Sequence, residues 1–231
     1  MTASGNPGLE ALQARLLAAT LSHVPFDGWS DRALHAGAAD LEVSPGEALN
    51  AFPGGAVDLV EAFHGWADAA MLRGLEALDL EAMKVRDRIA TAVRLRLEAL
   101  EPHQEAERRA LAFLALPGRT PLGLRLLART VDAIWVAAGD RSTDYNYYSK
   151  RMLLAGVYSS TLLCWLNDGS EGHEETWAFL DRRISEVLKV GGRIGKTMKS
   201  LLDLPDRLAQ RRPGSGFWRA RGFGSRMRPA P

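Results

Sequence analysis

Cysteine is almost missing: Cys164 is the one thiol in 231 residues, so no internal disulfide can form and the fold suits a reducing compartment. With no histidine motif nearby, Cys164 reads as a buried structural residue rather than a nucleophile. The five histidines, His23, His35, His64, His103 and His173, are scattered, and none stands in a HExxH or ExxH pattern. His173 lies beside Glu171, Glu174 and Glu175 and reads as part of an acidic helix start, not a metal ligand. Neither a GxSxG elbow nor a phosphate-cradling glycine loop occurs. The chain therefore offers no familiar catalytic, metal or cofactor site, and a non-enzyme without cofactor is expected.

Alternating strand patterns and hairpin turns are also lacking, which points to an all-α chain. No charged residue interrupts Met152 to Leu166, but those fifteen residues fall short of the roughly 20 that a membrane-spanning helix needs. Tyr158, Ser159, Ser160 and Thr161 interrupt the run further. The opening MTASGNPGLE has no basic stretch followed by an apolar core and is not arginine-rich, so neither a secretory signal nor a transit peptide is read there. A cytoplasmic chain lying on the inner face of a bacterial-type membrane is expected.

What the chain has is helical periodicity. Leu9, Leu12, Leu16, Leu17 and Leu21 mark a first helix, expected to end before Pro25 with a turn over Phe26 to Trp29. Ser30 is placed to cap a second helix. Ser44, Pro45 and Glu47 supply the cap, first-turn proline and acidic first turn of a short third one, closed by Pro53-Gly54-Gly55. Longer helices follow. One carries Val57, Val60, Phe63, Trp66 and Met71; another carries Met83, Ile89, Val93, Leu97 and Leu100; further ones are expected over 104–116, 121–138, 145–167 and 174–190. The organisation is a three-helix head (1–55), a helical bundle for ligand binding and dimerisation (56–190), and a basic C-terminal part (191–231).

Charge is unevenly shared. From Arg182 onward 13 Lys or Arg stand against Glu186, Asp203 and Asp206, a net +10, while the 181 residues before them carry −9. Ile194, Met198, Leu201 and Leu202 fall on one helical face and Arg193, Lys196 and Lys199 on the other, the pattern of a helix that lies on an anionic bilayer. The arginine-rich stretch beyond Pro205 reads as disordered until it meets a partner. The head shows the opposite sign. Its layout resembles the helix-turn-helix of TetR regulators, yet residues 1–60 hold Arg15 and Arg32 against Glu10, Asp27, Asp31, Asp40, Glu42, Glu47 and Asp58, a net −5. Such a surface would repel phosphates, so nucleic acid is not expected as a partner.

The densest chemistry lies in GDRSTDYNYYSKRMLLAGVYSSTLLCWLNDGS, where charged and aromatic residues lead into the charge-free run, followed by ETWAFLDRRI. With the head, this block resembles the accessory proteins of ubiquinone biosynthesis that bind lipids on a TetR-like fold. The resemblance runs from Leu9 to about Leu204 and is most specific from Trp135 to Ile184. It implies a homodimer that binds an isoprenoid lipid or phospholipid, meets a membrane surface, and serves a di-iron hydroxylase without catalysing that step. Position by position it assigns partner contact to Asp144, Asn146, Tyr147 and Tyr148, although some members have tryptophan where this chain has Tyr147. It assigns lipid binding to Arg151, whose planar fork suits a phosphate, and the tail's path to Met152, Leu153, Leu154, Val157 and Leu162. Membrane contact falls on Arg193, Ile194, Lys196, Met198, Lys199, Leu201 and Leu202. A ligand-responsive TetR-type regulator is the competing reading, and a scaffold without lipid a third.

Overall fold

Among the described residues the chain forms nine α-helices, the last over 174–187, and no strand. The computed structural model describes residues 7–140 and 145–187. The seven residues expected to touch a membrane, Arg193 to Leu202, lie outside the described residues.

The head is α1 (Pro7–Asp27), α2 (Asp31–Asp40) and α3 (Pro45–Ala51). α1 does not stop before Pro25. It runs on through Phe26 and Asp27, because Pro25 sits in the last turn and costs one backbone bond there, while fully buried Val24 holds the turn against the core and Gly28 N–H bonds the Val24 carbonyl at 2.9 Å. The expected turn over Phe26 to Trp29 therefore begins two residues later. Both predicted caps form: Ser30 Oγ accepts from Ala33 N–H at 3.2 Å, and Ser44 and Glu47 make a reciprocal capping box at the start of α3. α1 and α2 press together where Gly37 faces Thr20; a Cβ at Gly37 would lie 2.6 Å from the Thr20 backbone nitrogen.

The body is α4 (Ala56–Glu76), α5 (Val85–Leu100), α6 (Gln104–Leu114), α7 (Thr120–Ala137), α8 (Tyr145–Asn167) and α9 (174–187). Met83 is not part of α5. Its carbonyl lies in the preceding turn and accepts from Arg88 Nε at 3.0 Å, so the helix starts two residues further on. Gly55 has φ 56° at the start of α4, and a Cβ there would meet the Asp31 carboxylate at 2.3 Å. Head and body share one core. Buried Trp29 reaches across, donating its Nε1–H to the Ala106 carbonyl at 3.0 Å and packing on Phe63 at 5.1 Å between ring centroids. After α8 the chain turns at Asp168, whose carboxylate accepts from Thr176 N–H at 2.9 Å and from Ser170 N–H at 2.8 Å, capping α9. The Ser170 and Thr176 hydroxyls, each donating to Asp168 at 2.6 Å, and after them these N–H bonds hold its carboxyl well below the usual range.

Candidate ligand cavity

Three helices leave a space where their apolar faces diverge. Leu111 and Leu114 of α6, Leu126 and Leu127 of α7, and Leu162 of α8 wall a cavity of about 280 Å³. Gly123 contributes to its depth, since the missing side chain leaves α7 open opposite Leu114. Leu124 and Leu163, 62% and 55% exposed, also line it and mark its outer rim. Large apolar side chains around a space and at its rim suit an apolar chain entering from outside.

The floor is polar and built from buried charge. Arg96 of α5 is fully buried; its Nε donates to Asp68 Oδ1 at 2.7 Å, one terminal nitrogen meets the Tyr158 hydroxyl, and the other lies 3.2 Å from His64 Nδ1. Asp68 accepts further bonds from Thr130 at 2.8 Å and Arg129 at 3.3 Å. Burial opposes the Arg96 charge, but Tyr158, Asp68 and Glu107 outweigh it and raise its pKa, so the guanidinium stays charged. His64 is lowered to about 3, by burial first and then by Arg96 and Arg129, so it is neutral at pH 7. Burial raises Glu107 to about 7, with Arg96 opposing and Asp68 reinforcing the rise. His64, Arg96, Thr130 and Tyr158 all line the cavity, so a ligand would rest against this network.

Residues assigned to lipid from the sequence fall in several environments. Leu162 is in the cavity wall; Leu154 and Val157 are buried in the common core, Leu153 is half-buried and Met152 is 74% exposed. Arg151 lies at the head of α8, eleven residues and about 16 Å along the axis from Leu162. Its guanidinium bonds Asp132 at 2.7 Å and Asp140 at 3.3 Å and stacks 3.3 Å from the centre of the Tyr147 ring. Those bonds, Asp132 foremost, outweigh burial and raise the Arg151 pKa. Of the residues assigned to a partner, Tyr147 also bonds Asp132 at 3.3 Å, and Tyr148 packs edge-on against it while remaining 70% exposed. Asn146 is placed by its backbone in α8, and Asp144 lies outside the described residues.

The sequence reading passed over His64, Arg96, Glu107 and Thr130. A signal for two of them was present: Arg96 interrupts the buried row Ile89, Val93, Leu97, Leu100, and Glu107 stands between buried Ala106 and Ala110. A charge on the apolar face of a helix demands a partner from another element. His173 packs between Trp165 and Trp177.

The helices that form the cavity's outer half and the Arg151 cluster are also those that comparison with known proteins picks out. Residues 120–191 match the family model described as COQ9. The chain is 37% identical over 189 residues to the ubiquinone biosynthesis protein COQ9, mitochondrial, of Rattus norvegicus, covering 79% of this chain and 60% of that protein. It is 36% identical over 189 residues to the Homo sapiens protein of the same name, covering 79% and 59% of the two chains, and 34% identical over 193 residues to that of Drosophila melanogaster, covering 82% and 59%. Over most of its length the chain is similar to the COQ9 proteins. The match spans about 60% of the length of these curated COQ9 relatives. A solved TetR transcriptional regulator from Nitrosomonas europaea superposes with a TM-score of 0.64 at 21% identity, covering 77% of this chain and 98% of that one. The chain thus has the all-α, TetR-like fold expected from its head and bundle. One expectation is corrected: the relatives are named mitochondrial, which overturns the cytoplasmic, bacterial-type location read from the opening residues.

Proposed function

We propose that this chain is a lipid-binding accessory protein of ubiquinone biosynthesis, not an enzyme, which takes an isoprenoid intermediate from a bilayer and presents it to a di-iron hydroxylase. The observation that carries the reading is the apolar cavity of about 280 Å³ between α6, α7 and α8, of which α7 and α8 fall within the residues that match the COQ9 family model. An apolar chain is poorly soluble in water, and an apolar cavity lowers the free energy of moving it between bilayer and enzyme. Leu162 belongs to the wall, Leu154 and Val157 support it from the core, and Met152 and Leu153 flank the approach along α8. Arg151 is already bound to two carboxylates, so a phospholipid head reaching it must displace Asp132 or Asp140, whereas a neutral isoprenoid need not. Asp144, Asn146, Tyr147 and Tyr148 form the surface for the hydroxylase; Arg151 and Asp132 fix Tyr147, leaving Tyr148 projecting. The protein works as a homodimer, with Arg193, Ile194, Lys196, Met198, Lys199, Leu201 and Leu202 against the membrane.

Lipid extraction from purified protein followed by mass spectrometry tests this. An isoprenoid bound in stoichiometric amount is expected, and preparations carrying neither isoprenoid nor phospholipid would overturn the reading. The TetR-like likeness keeps one competitor in view, a ligand-responsive regulator. Against it stand the acidic head and the engagement of Glu47 as the cap of a seven-residue α3. Saturable, sequence-selective gel shifts at low salt would favour the regulator instead.

A further inference from the structure

The polar floor of the cavity, and Glu107 behind that floor, hold atoms that no neighbour satisfies. His64 lines the cavity, is buried, and its Nε2 has no hydrogen-bond partner. Glu107 is 0% exposed, and neither of its carboxyl oxygens has a partner. Along α6 Glu107 precedes Leu111 and Leu114 by one and two turns, so the row that walls the cavity continues inward to this carboxyl. His64 Nε2 and the nearer Glu107 oxygen are 4.0 Å apart. That is too long for a hydrogen bond, yet one oxygen about 2.8 Å from each would bridge them.

The remaining polar atoms of the floor are engaged: Arg96 by Asp68, Tyr158 and His64 Nδ1, and Thr130 by Asp68. Arg96, which lines the cavity, is already bound by Asp68, so an anionic head would have to displace that carboxylate. A neutral hydroxyl can both donate and accept, which matches an imidazole nitrogen facing a carboxyl. We propose that the inner end of the cavity is a subsite for a neutral hydroxyl on an apolar chain, its oxygen bridging His64 Nε2 and Glu107. The proposal rests on reading the cavity as the lipid site. Burial, which raises Glu107 to about 7, leaves its carboxyl partly protonated at neutral pH and able to serve as donor or acceptor. The volume adds a direction. About 280 Å³ lies at the lower end of pockets that enclose a small ligand, so a head and a short stretch of chain fill it and the rest of a long chain leaves past Leu124 and Leu163. The head enters first.

Calorimetric titration of the full chain with 2-geranylphenol, geranylbenzene and geranyl phosphate tests this. The phenol is expected to bind at least tenfold more tightly than geranylbenzene, although geranylbenzene is the more hydrophobic, and geranyl phosphate more weakly than the phenol. In His64→Leu and Glu107→Leu, checked for folding by circular dichroism, the preference for the phenol should fall below threefold; if either variant does not fold, the unmodified chain still decides. Equal binding of phenol and geranylbenzene overturns the proposal and assigns the bridging position to a buried water, leaving the lipid reading intact. Tightest binding of geranyl phosphate overturns it too. Binding of none of the three overturns the lipid reading of the cavity and the subsite with it.

Discussion

Glu107 shows how a single residue connects the core to pH. Its carboxyl titrates near 4.5 when unfolded and is raised to about 7 in the fold, so the folded state holds the proton more tightly. The stabilisation is full below the unfolded value and is lost as pH rises through about 7, a difference on the order of 3 kcal/mol. His64 acts in the opposite sense: lowered to about 3, it favours the fold above about 6.5 and works against it as pH falls from there toward 3. Comparing Glu107→Gln with the unmodified chain cancels the histidine. The two melting curves should nearly coincide at pH 4.5, and the variant should be the more stable by pH 8; parallel curves across that range would rule the mechanism out. The candidate site was only partly legible at this scale. Leu162 could be read from its place in a charge-free helix, whereas the roles of His64 and Thr130 depend on Arg96 and Asp68, which reach them from α5 and α4. No periodicity within one helix announces such a meeting.

At the scale of elements, two glycines carry opposite consequences. Gly37→Ala adds a methyl group 2.6 Å from the Thr20 backbone, so α1 and α2 must part, and unfolding in urea should show a loss of about 1–3 kcal/mol. Gly123→Leu meets only ordinary contact with Leu114 Cβ at 3.4 Å, restores helix propensity of about 1 kcal/mol, and projects into the cavity. That variant should melt no lower than the parent yet bring down markedly less lipid on purification, and undiminished lipid would place the ligand elsewhere. Arg151 pins α8 to α7 through Asp132 and to the turn that follows α7 through Asp140. Arg151→Ala should quicken hydrogen exchange over 145–151 and weaken capture of the hydroxylase at Tyr147 and Tyr148, with exchange over 158–165 unchanged. Most elements were readable in advance because their caps and punctuation are local: Ser30, Ser44 and Pro53-Gly54-Gly55 act within a turn of themselves. Pro25 and Met83 misled for a non-local reason, since burial of Val24 carried α1 onward and the turn before Val85 kept Met83 out of α5.

For the whole molecule, charge and fold divide the labour. The residues from Arg182 onward carry +10 and the rest −9, and vesicles tell the two apart. Sedimentation with vesicles containing anionic lipid should carry the chain down, progressively less as salt rises, and replacing Arg193, Lys196 and Lys199 by alanine should weaken it by on the order of 1 kcal/mol for each charge. Binding that ignores both salt and these substitutions would remove the basic face from the scheme. By itself the sequence determined the all-α class, the helix starts with their caps, the acid-to-base gradient along the chain and the likeness to a family, because periodicity, capping and charge are properties of neighbours in the chain. Only the tertiary structure decided that α6, α7 and α8 part to leave a cavity, that Arg96 and Glu107 lie beneath it, and that Arg151 is bound by Asp132 and Asp140. Those depend on residues up to about 60 positions apart meeting in a low-dielectric interior, where each buried charge takes its state from partners the linear order does not name.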